Sequence, residues 1–466
     1  MKKNKDILFD GIGNAYLTIQ QAAVIVSDSR NMFAKPDAEP TIIKDTKEKD
    51  YKMVPWGEAN DLPNQIISKV GKSHDMSRNL LFNIECAYGD GVMAVVKTWD
   101  ETTKDFQYKP ITDNAAINEF FENNDISLYL LEQLNDMFYF YNTFPEIILS
   151  RDENAETRKV VTLTSKEATF SRWSVMNKEG QIEKHLYSSR WVDPQPDQLD
   201  IIATDVLNPR NSILDLKRRM GREPRTENGK TKDDKVFSYI VPVTFPVPGR
   251  FYYQKPQWYS LIESGWYDFA LLIPEFKRAL LNNQMTIKYM IYINEKYFPA
   301  IFAEEGITTL VEKKKRIAKE YDEIKKFLSG AKNSGKASFS KIRYTPDGKE
   351  EPMVKIVPLE NHFKGGEYIE DSEEVSNILA YGMGVHASLI GSHGKAGTIS
   401  GSEARELFLI KQSMMKPIRD RILKPFYLIK AINKWPANVE FIIRNTKLTT
   451  LDQGTGATKQ VGSPVN

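Results

Sequence analysis

Cysteine and histidine are scarce in this 466-residue chain, which contains one Cys and five His. A single cysteine cannot form an internal disulfide, so we expect Cys86 to be a small buried residue. The histidines are dispersed along the chain, at His74, His185, His362, His386 and His393. This spacing does not predict a Cys/His metal site, and no cofactor is expected.

Long apolar runs are missing as well. No stretch reaches the roughly 20 apolar residues that a membrane-spanning helix requires, and residues 1–11 lack the apolar centre of a secretion signal. We therefore expect synthesis in the cell interior and no membrane partner. With 41% hydrophobic and 11% aromatic residues, the composition is that of a folded chain large enough for two or three domains.

An excess of charge of either sign is also lacking, because the formal net charge is only +2. A broad basic surface that grips nucleic acid is therefore not indicated. A DNA conduit is still compatible with near-neutrality, since tight phosphate contacts would hinder sliding. The most basic segment, residues 218–235, is compatible with a nucleic-acid-binding arm, although its composition favours a solvated surface loop.

Nucleotide-binding and hydrolase motifs are not found. Residues 381–405 are rich in glycine, but only two residues separate Gly391 from the Gly-Lys pair at 394–395, where a phosphate loop needs four. Ala396 then occupies the position of the required Ser or Thr. The neighbouring serines and histidines do not form a G-x-S-x-G elbow. These departures argue against an enzyme.

Residues 54–192 predict a domain that mixes helices and strands. Pro63 favours the first turn of one helix, a second helix is expected over about residues 76–87, and the following glycines permit a turn into a strand. Two aromatic-rich helices come next in the pattern, and then several strands connected by hairpin turns. The predicted fold class is α+β.

A long helix, a β segment and a second long helix follow. Apolar residues recur at helical intervals over residues 257–284, where Pro274 is expected to bend or break the helix. Residues 286–302 alternate apolar and polar side chains, which predicts one or two short strands. A second helix is predicted over residues 307–329, with a length of about 35 Å. An ordinary helical hairpin with an inserted loop is the alternative.

The C-terminal part of the pattern is a loop held between two helices. Residues 370–381 predict a helix that is ended by Gly382 and Gly384. After the loop, a long helical segment over residues 401–432 is expected to bend at Pro417 and Pro425.

Taken in order, these landmarks resemble those of the portal proteins of tailed bacteriophages. The resemblance covers most of residues 54–448 and rests on three blocks. They are WGEANDLPNQIISKV with the later YGDGV, the series of helix, β segment and helix, and VSNILAYGMGVHASLIG followed by a loop and SGSEARELFLIKQSMMKPIRDRILKPF. The last block is the most specific of the three.

The resemblance implies an α+β portal fold with an α/β wing, two long stem helices, a small β-containing clip, a tunnel loop and a kinked C-terminal helix. The implied division is an N-terminal arm (1–50), the first part of the wing (51–256), stem helix 1 (257–285), the clip (286–306), stem helix 2 (307–330), the second part of the wing (331–385), the tunnel loop (386–400), the kinked C-terminal helix and strand with a small crown (401–448) and a flexible tail (449–466).

By the same resemblance, the chain would form a ring, usually of twelve subunits, at one vertex of a viral capsid. The ring would be a conduit for double-stranded DNA in packaging and ejection. Its partners would be the large terminase, the major capsid protein and a head-to-tail adaptor, after synthesis in the cytoplasm of a bacterial host. A nucleic-acid-processing enzyme and another virion structural protein, such as a connector or baseplate component, are the alternatives.

Eight residues become candidate contacts under this interpretation. The candidates for the DNA-facing tunnel are Lys395, His393, Lys314 and Lys325. The candidates for clip contacts are Ile291, Ile293, Tyr297 and Phe298. Solvated surface lysines and an ordinary internal core remain the alternatives for the two sets.

Overall fold

A computed structural model of the protein describes residues 7–9, 15–17, 41–44, 49–177, 180–191, 200–224, 230–284, 289–329, 342–344, 348, 350–358, 367–390 and 401–446. The chain divides into two compact units. The first unit comprises Met1–Leu271 and Asp371–Asn466, and the second comprises Leu272–Glu370.

Strands and helices are mixed along the chain, which confirms the predicted α+β character. The strands are β1 Ile7–Phe9, β2 Ala15–Leu17, β3 Thr41–Lys44, β4 Asp50–Val54, β5 Val92–Asp100, β6 Asp105–Pro110, β7 Asn142–Leu149, β8 Val160–Lys166, β9 Ser171–Ser174, β10 Lys184–Tyr187, β11 Ile202–Val206, β12 Ser238–Ile240, β13 Val243–Thr244, β14 Tyr289–Ile293, β15 Ile342–Tyr344, β16 Glu350–Pro352, β17 Val354–Pro358 and β18 Val439–Ile443. The helices are α1 Leu62–Lys72, α2 His74–Tyr88, α3 Ala115–Asn123, α4 Ile126–Phe140, α5 Ser212–Arg219, α6 Ser260–Glu263, α7 Trp266–Gln284, α8 Tyr297–Glu304, α9 Leu310–Ser329, α10 Glu367–Gly382, α11 Gly401–Met414, α12 Lys416–Ile422 and α13 Lys424–Ile432.

The first unit is built on a nine-stranded sheet. Its strand order is β13-β7-β12-β11-β10-β9-β4-β3. Strand β8 lies off this path and also pairs with β7. The pair β11 and β12 is parallel, and the other pairs of this sheet are antiparallel. A separate three-stranded sheet has the order β18-β5-β6. Helix α4 contacts α2, β7 and β8, so the apolar core lies between helices and sheet.

The early Trp-Gly-x-x-Asn motif is built around a buried arginine. Arg172 on β9 donates from Nε to the Asn60 side-chain oxygen at 2.5 Å and from Nη2 to the Asn60 carbonyl at 2.7 Å. Its guanidinium lies 5.7 Å from the Trp56 ring, which stacks on Tyr253 at 4.4 Å. Burial lowers the pKa of Arg172 to about 10. The motif therefore satisfies a buried charge, which would be costly if left unpaired.

The basic segment is solvated only in part where it is described, since Lys230, Lys232 and Lys235 are exposed while other residues are held by the first unit. Met220 is fully buried, and Arg222 donates to the carbonyls of Ala155 at 2.8 Å and Ile432 at 3.1 Å. The buried Arg158 donates to both carboxylate oxygens of Asp233, at 3.1 and 2.9 Å. The expected solvated surface is therefore present at residues 230–232 and 235, whereas Met220 is buried and Arg222 is tied to backbone carbonyls of the first unit. Residues 225–229 lie outside the described part.

Several predicted helices are confirmed with shifted ends. The first predicted long helix is interrupted at Ser264 and Gly265, where Gly265 has a φ of +87°. Helix α7 then continues through Pro274, so the interruption comes from the glycine. The C-terminal segment is divided at Met415 and Leu423 into three helices, and each break precedes a proline at the second position of the next helix, as predicted.

The predicted β segment at 286–302 is correct only in its first half. Strand β14 pairs with β17 in antiparallel register, with Ile291 opposite Ile356, but residues from Tyr297 onward form helix α8. Pro299 lies in the first turn of α8, where a missing N–H costs nothing because that turn has no intrahelical acceptor. The helix α9 confirms the second predicted long helix.

Candidate functional site

The second unit lacks buried side chains over most of its length. Among residues 274–370, no side chain whose exposure is described is buried. Exposed large apolar side chains are instead distributed over α7, β14, α9 and β17, namely Leu272, Phe276, Met290, Ile291, Tyr292, Leu310, Val311, Tyr321 and Ile356. Exposed apolar side chains become candidate contacts for another protein chain where they lie together on one surface. We call this set the exposed apolar surface of the second unit.

Helices α8 and α9 are joined by a polar network. The Tyr297 hydroxyl donates to Glu320 Oε1 at 2.5 Å, and Arg316 Nη1 donates to Glu320 Oε2 at 2.6 Å. Arg316 Nε also donates to both Glu305 oxygens, at 3.0 and 2.9 Å. Partial desolvation and the Glu320 carboxylate raise the pKa of Tyr297 to about 12. Charge-assisted bonds therefore position a helix pair that has little apolar packing.

An aromatic contact supplements this network. The Phe298 ring meets the Tyr321 ring edge to face, with centroids 5.8 Å apart, and stacks on Phe302 at 6.2 Å. Two of the clip candidates, Tyr297 and Phe298, thus contact neighbouring helices within the unit. The sequence did not reveal the contacts of Tyr297 and Glu305, whereas the i,i+4 spacing of Arg316 and Glu320 favours the ion pair that they form.

The other two clip candidates lie on a two-stranded ribbon. Ile291 is exposed and Ile293 is half-buried. Within the described residues, β14 pairs only with β17, so each strand has one edge with no strand partner there. Exposed edges of this kind favour pairing with another strand.

Of the four tunnel candidates, Lys314 has a side chain within the described residues. Lys314 is exposed on α9. Lys325 belongs to the same helix, but its side chain lies outside the described residues, as do His393 and Lys395 altogether. Other cations of α9 have contacts within the unit, since Lys313 lies 5.6 Å from the Phe302 ring centroid and Lys319 lies 3.9 Å from a Glu323 oxygen.

Clusters of metal-binding side chains are absent from the described part of the chain. There, His, Cys, Asp and Glu side chains do not gather in groups of three or more that could hold a metal ion. None of the helices described is both long and apolar enough to cross a membrane.

Comparison with known proteins gave a result at the level of fold. No protein-family model and no curated protein matches the sequence. The fold resembles that of a virion protein chain. That chain comes from the solved virion of the native gene transfer agent (GTA) particle and is 11% identical to this chain, with a TM-score of 0.50 over 83% of this chain and 85% of that one. At 11% identity, the likeness concerns the fold alone.

Two further matches come from the neck of GTA particles. The neck of the empty particle, computed with C6 symmetry, matches at 12% identity and TM-score 0.49 over 84% of this chain and 86% of that one. The neck of the native particle, computed with C12 symmetry, matches at 11% identity and TM-score 0.49 over 90% and 88%. Both TM-scores lie below 0.5, and we base no argument on them.

Proposed function

We propose that this chain is a portal protein, which forms a ring at one vertex of a viral capsid and conducts double-stranded DNA during packaging and ejection. The second unit would carry the clip and most of the stem. The large terminase and a head-to-tail adaptor would dock there, while the first unit, as the wing, would meet the major capsid protein. The chain would act as a structural conduit without a catalytic site.

This proposal rests on the exposed apolar side chains of the second unit. Full burial of one Leu or Val side chain is worth roughly 1.5–3 kcal/mol, and such burial is missing here at Leu310 and Val311, which are 71% and 76% exposed. A helical unit with its apolar side chains at the surface gains this energy when copies of the chain pack side by side. Ring assembly therefore supplies the core that one chain lacks.

The fold likeness supports a place in a virion. The similar chain belongs to a virion, and the match extends over 83% of the present chain. The sequence landmarks independently resemble portal proteins over most of the same length. A viral structural protein accounts for both observations.

A conduit is also compatible with the charge distribution. The net charge is +2, and part of the positive charge on α9 is neutralised locally, as Arg316 is by Glu305 and Glu320. Exposed lysines such as Lys314 would then contact phosphates weakly, which suits a polymer that must slide.

Electron microscopy of the purified full chain tests the proposal. We expect closed rings with a central hole that admits duplex DNA, and a particle mass by light scattering that is an integral multiple of 53.4 kDa. Monomers throughout a range of concentrations and salt conditions would contradict ring formation. Rings without a through-hole would instead favour another virion component, such as a baseplate protein.

A further inference from the structure

Helix α10 ends in a tight turn whose geometry depends on one glycine. Gly384 has a φ of +66°, its N–H donates to the Tyr381 carbonyl at 2.9 Å, and the Val385 N–H donates to the Ala380 carbonyl at 2.8 Å. This is the common helix ending in which a left-handed residue reverses the chain. The Met383 and Val385 side chains are buried, so the turn is packed into the first unit.

Two buried side chains from other helices hold the carbonyls of this turn. Asn83 Nδ2, on α2, donates to the Met383 carbonyl at 3.0 Å. Lys411 Nζ, on α11, donates to the Gly384 carbonyl at 2.7 Å. Residues from before and after the turn in sequence thus converge on two adjacent carbonyls at a helix C-terminus, where a positive charge is favoured.

The lysine is in an unusual environment for its type. Lys411 is 5% exposed, and burial lowers its pKa to about 8, partly opposed by the neighbouring Cys86. Buried lysines are rare unless they are paired. Its hydrogen bond to Gly384 is therefore a specific contact that offsets part of the cost of desolvation.

The surface of α2 beside this contact is polar as well. Asn79 lies one turn before Asn83 on the same face of the helix and is fully buried. In the described part of the chain, neither end of its carboxamide has a hydrogen-bond partner. Asn83 and Lys411 thus add directional bonds to the apolar burial of Met383 and Val385 at this turn.

We propose that Lys411 and Asn83 are positioning residues that clamp the C-terminal turn of α10 and thereby set the course of residues 386–390. The short helix Ala387–Leu389 begins directly after the turn, where His386 Nδ1 accepts a hydrogen bond from the Ser388 N–H at 3.4 Å. The direction of this short helix therefore depends on the two carbonyls that Asn83 and Lys411 hold in place. The clamp is a property of the first unit, and only its relevance to a DNA tunnel rests on the proposed function.

Hydrogen exchange of the full-length protein, followed by mass spectrometry of peptides, tests the clamp. Lys411→Met removes the donor while keeping a long apolar stem. We expect amides in residues 383–390 to exchange at least tenfold faster, with β7 unchanged. Lys411→Arg keeps a donor and should restore most of the protection. The control is Lys416→Met, which removes an exposed lysine paired only at the surface with Asp420 and should change nothing in this region.

A second variant covers the case in which Lys411→Met fails to fold. Asn83→Ser replaces the other donor with a side chain too short to reach the Met383 carbonyl. It should produce the same local rise in hydrogen exchange. The proposal is overturned if both variants fold and residues 383–390 exchange as in the parent, or if exchange rises equally throughout the first unit. Ring formation is scored separately by electron microscopy, so failure of the clamp and failure of ring assembly are distinguishable.

Discussion

At the scale of single residues, the first unit contains polar groups in places that usually exclude them. His185 is fully buried, and its ring lies 5.3 Å from Phe144 and 5.6 Å from Trp173. Neither ring nitrogen has a hydrogen-bond partner among the described residues. Desolvation, with a smaller contribution from the charge of Lys166, lowers the pKa of His185 to about 3. The imidazole is therefore neutral in the folded protein.

This histidine predicts acid sensitivity. The folded pKa of about 3 lies below the ordinary value of 6.5, so the unfolded chain binds more protons between these pH values. Stability from this group is complete above pH 6.5 and falls as the pH drops toward 3. Between pH 7 and pH 4.5 the loss should be about 3 kcal/mol, measured by urea unfolding. His185→Phe should remove that part of the pH dependence.

The same substitution should also raise stability at pH 7. Phenylalanine has a similar shape and carries no buried polar atoms that need partners, so we expect a gain of about 1–3 kcal/mol. Equal pH profiles for the variant and the parent protein would show that His185 is not the responsible group.

A second residue-scale prediction concerns Gly89, which follows α2. Its φ is +53°, and a Cβ built on it would lie 2.2 Å from the Arg444 carbonyl oxygen. Gly89→Ala should therefore destabilise the protein by more than about 2 kcal/mol, through both strain and displacement of the backbone at Arg444. Gly249→Ala is the matched control, because Gly249 also has a positive φ of +75° but has no atom within 4 Å of the added Cβ. Thermal unfolding of the two variants should differ accordingly, and equal losses would exclude the backbone contact as the cause.

At the scale of elements, helices α8 and α9 depend on hydrogen bonds more than on a core. Tyr297→Phe removes the hydroxyl that binds Glu320, and we expect a loss of about 1 kcal/mol in the local opening free energy of α8. Faster hydrogen exchange in residues 297–304 would report this loss. Tyr292→Phe, at an exposed position on β14, is the control. Unchanged exchange in the first variant would mean that Arg316 alone joins the two helices.

The elements also show which local signals were reliable. Ser73 caps α2 by accepting a hydrogen bond from the Met76 N–H at 3.3 Å, and Pro417 and Pro425 stand at the starts of helices, as their chemistry predicts. Pro274 does not break its helix, since α7 continues through it. Residues 297–302 were expected to be strand, and contacts with α9 favour a helix there. Local propensity is overridden when neighbouring elements supply stronger contacts.

At the scale of the whole molecule, the exposed apolar surface of the second unit predicts dependence on assembly. The double substitution Leu310→Asp and Val311→Asp places two charges on the exposed start of α9. We expect it to leave the circular dichroism of the chain unchanged and to abolish rings, because charges at a buried subunit contact lack partners. Particle mass and electron microscopy provide the measurement.

Leu128→Asp is the matched control for this substitution. Leu128 is an exposed leucine on α4 in the first unit, 52% accessible, and its replacement should not affect ring formation. Loss of rings in the control alone, with rings retained in the double variant, would move the subunit contact to the first unit and contradict its assignment to α9.

The amino-acid sequence predicts the mixed α and β class, most helices of the first unit and the long helix α9, and it contains no recognisable catalytic motif. Those features follow from periodicity, caps and glycine or proline chemistry, which act within a few residues. The sequence did not reveal the buried partners of Arg172, Asp233 and Lys411. Nor did it reveal the helical end of the β segment. These features appear only in the folded chain, because they depend on contacts between residues far apart in sequence. The energies of those contacts exceed local preferences.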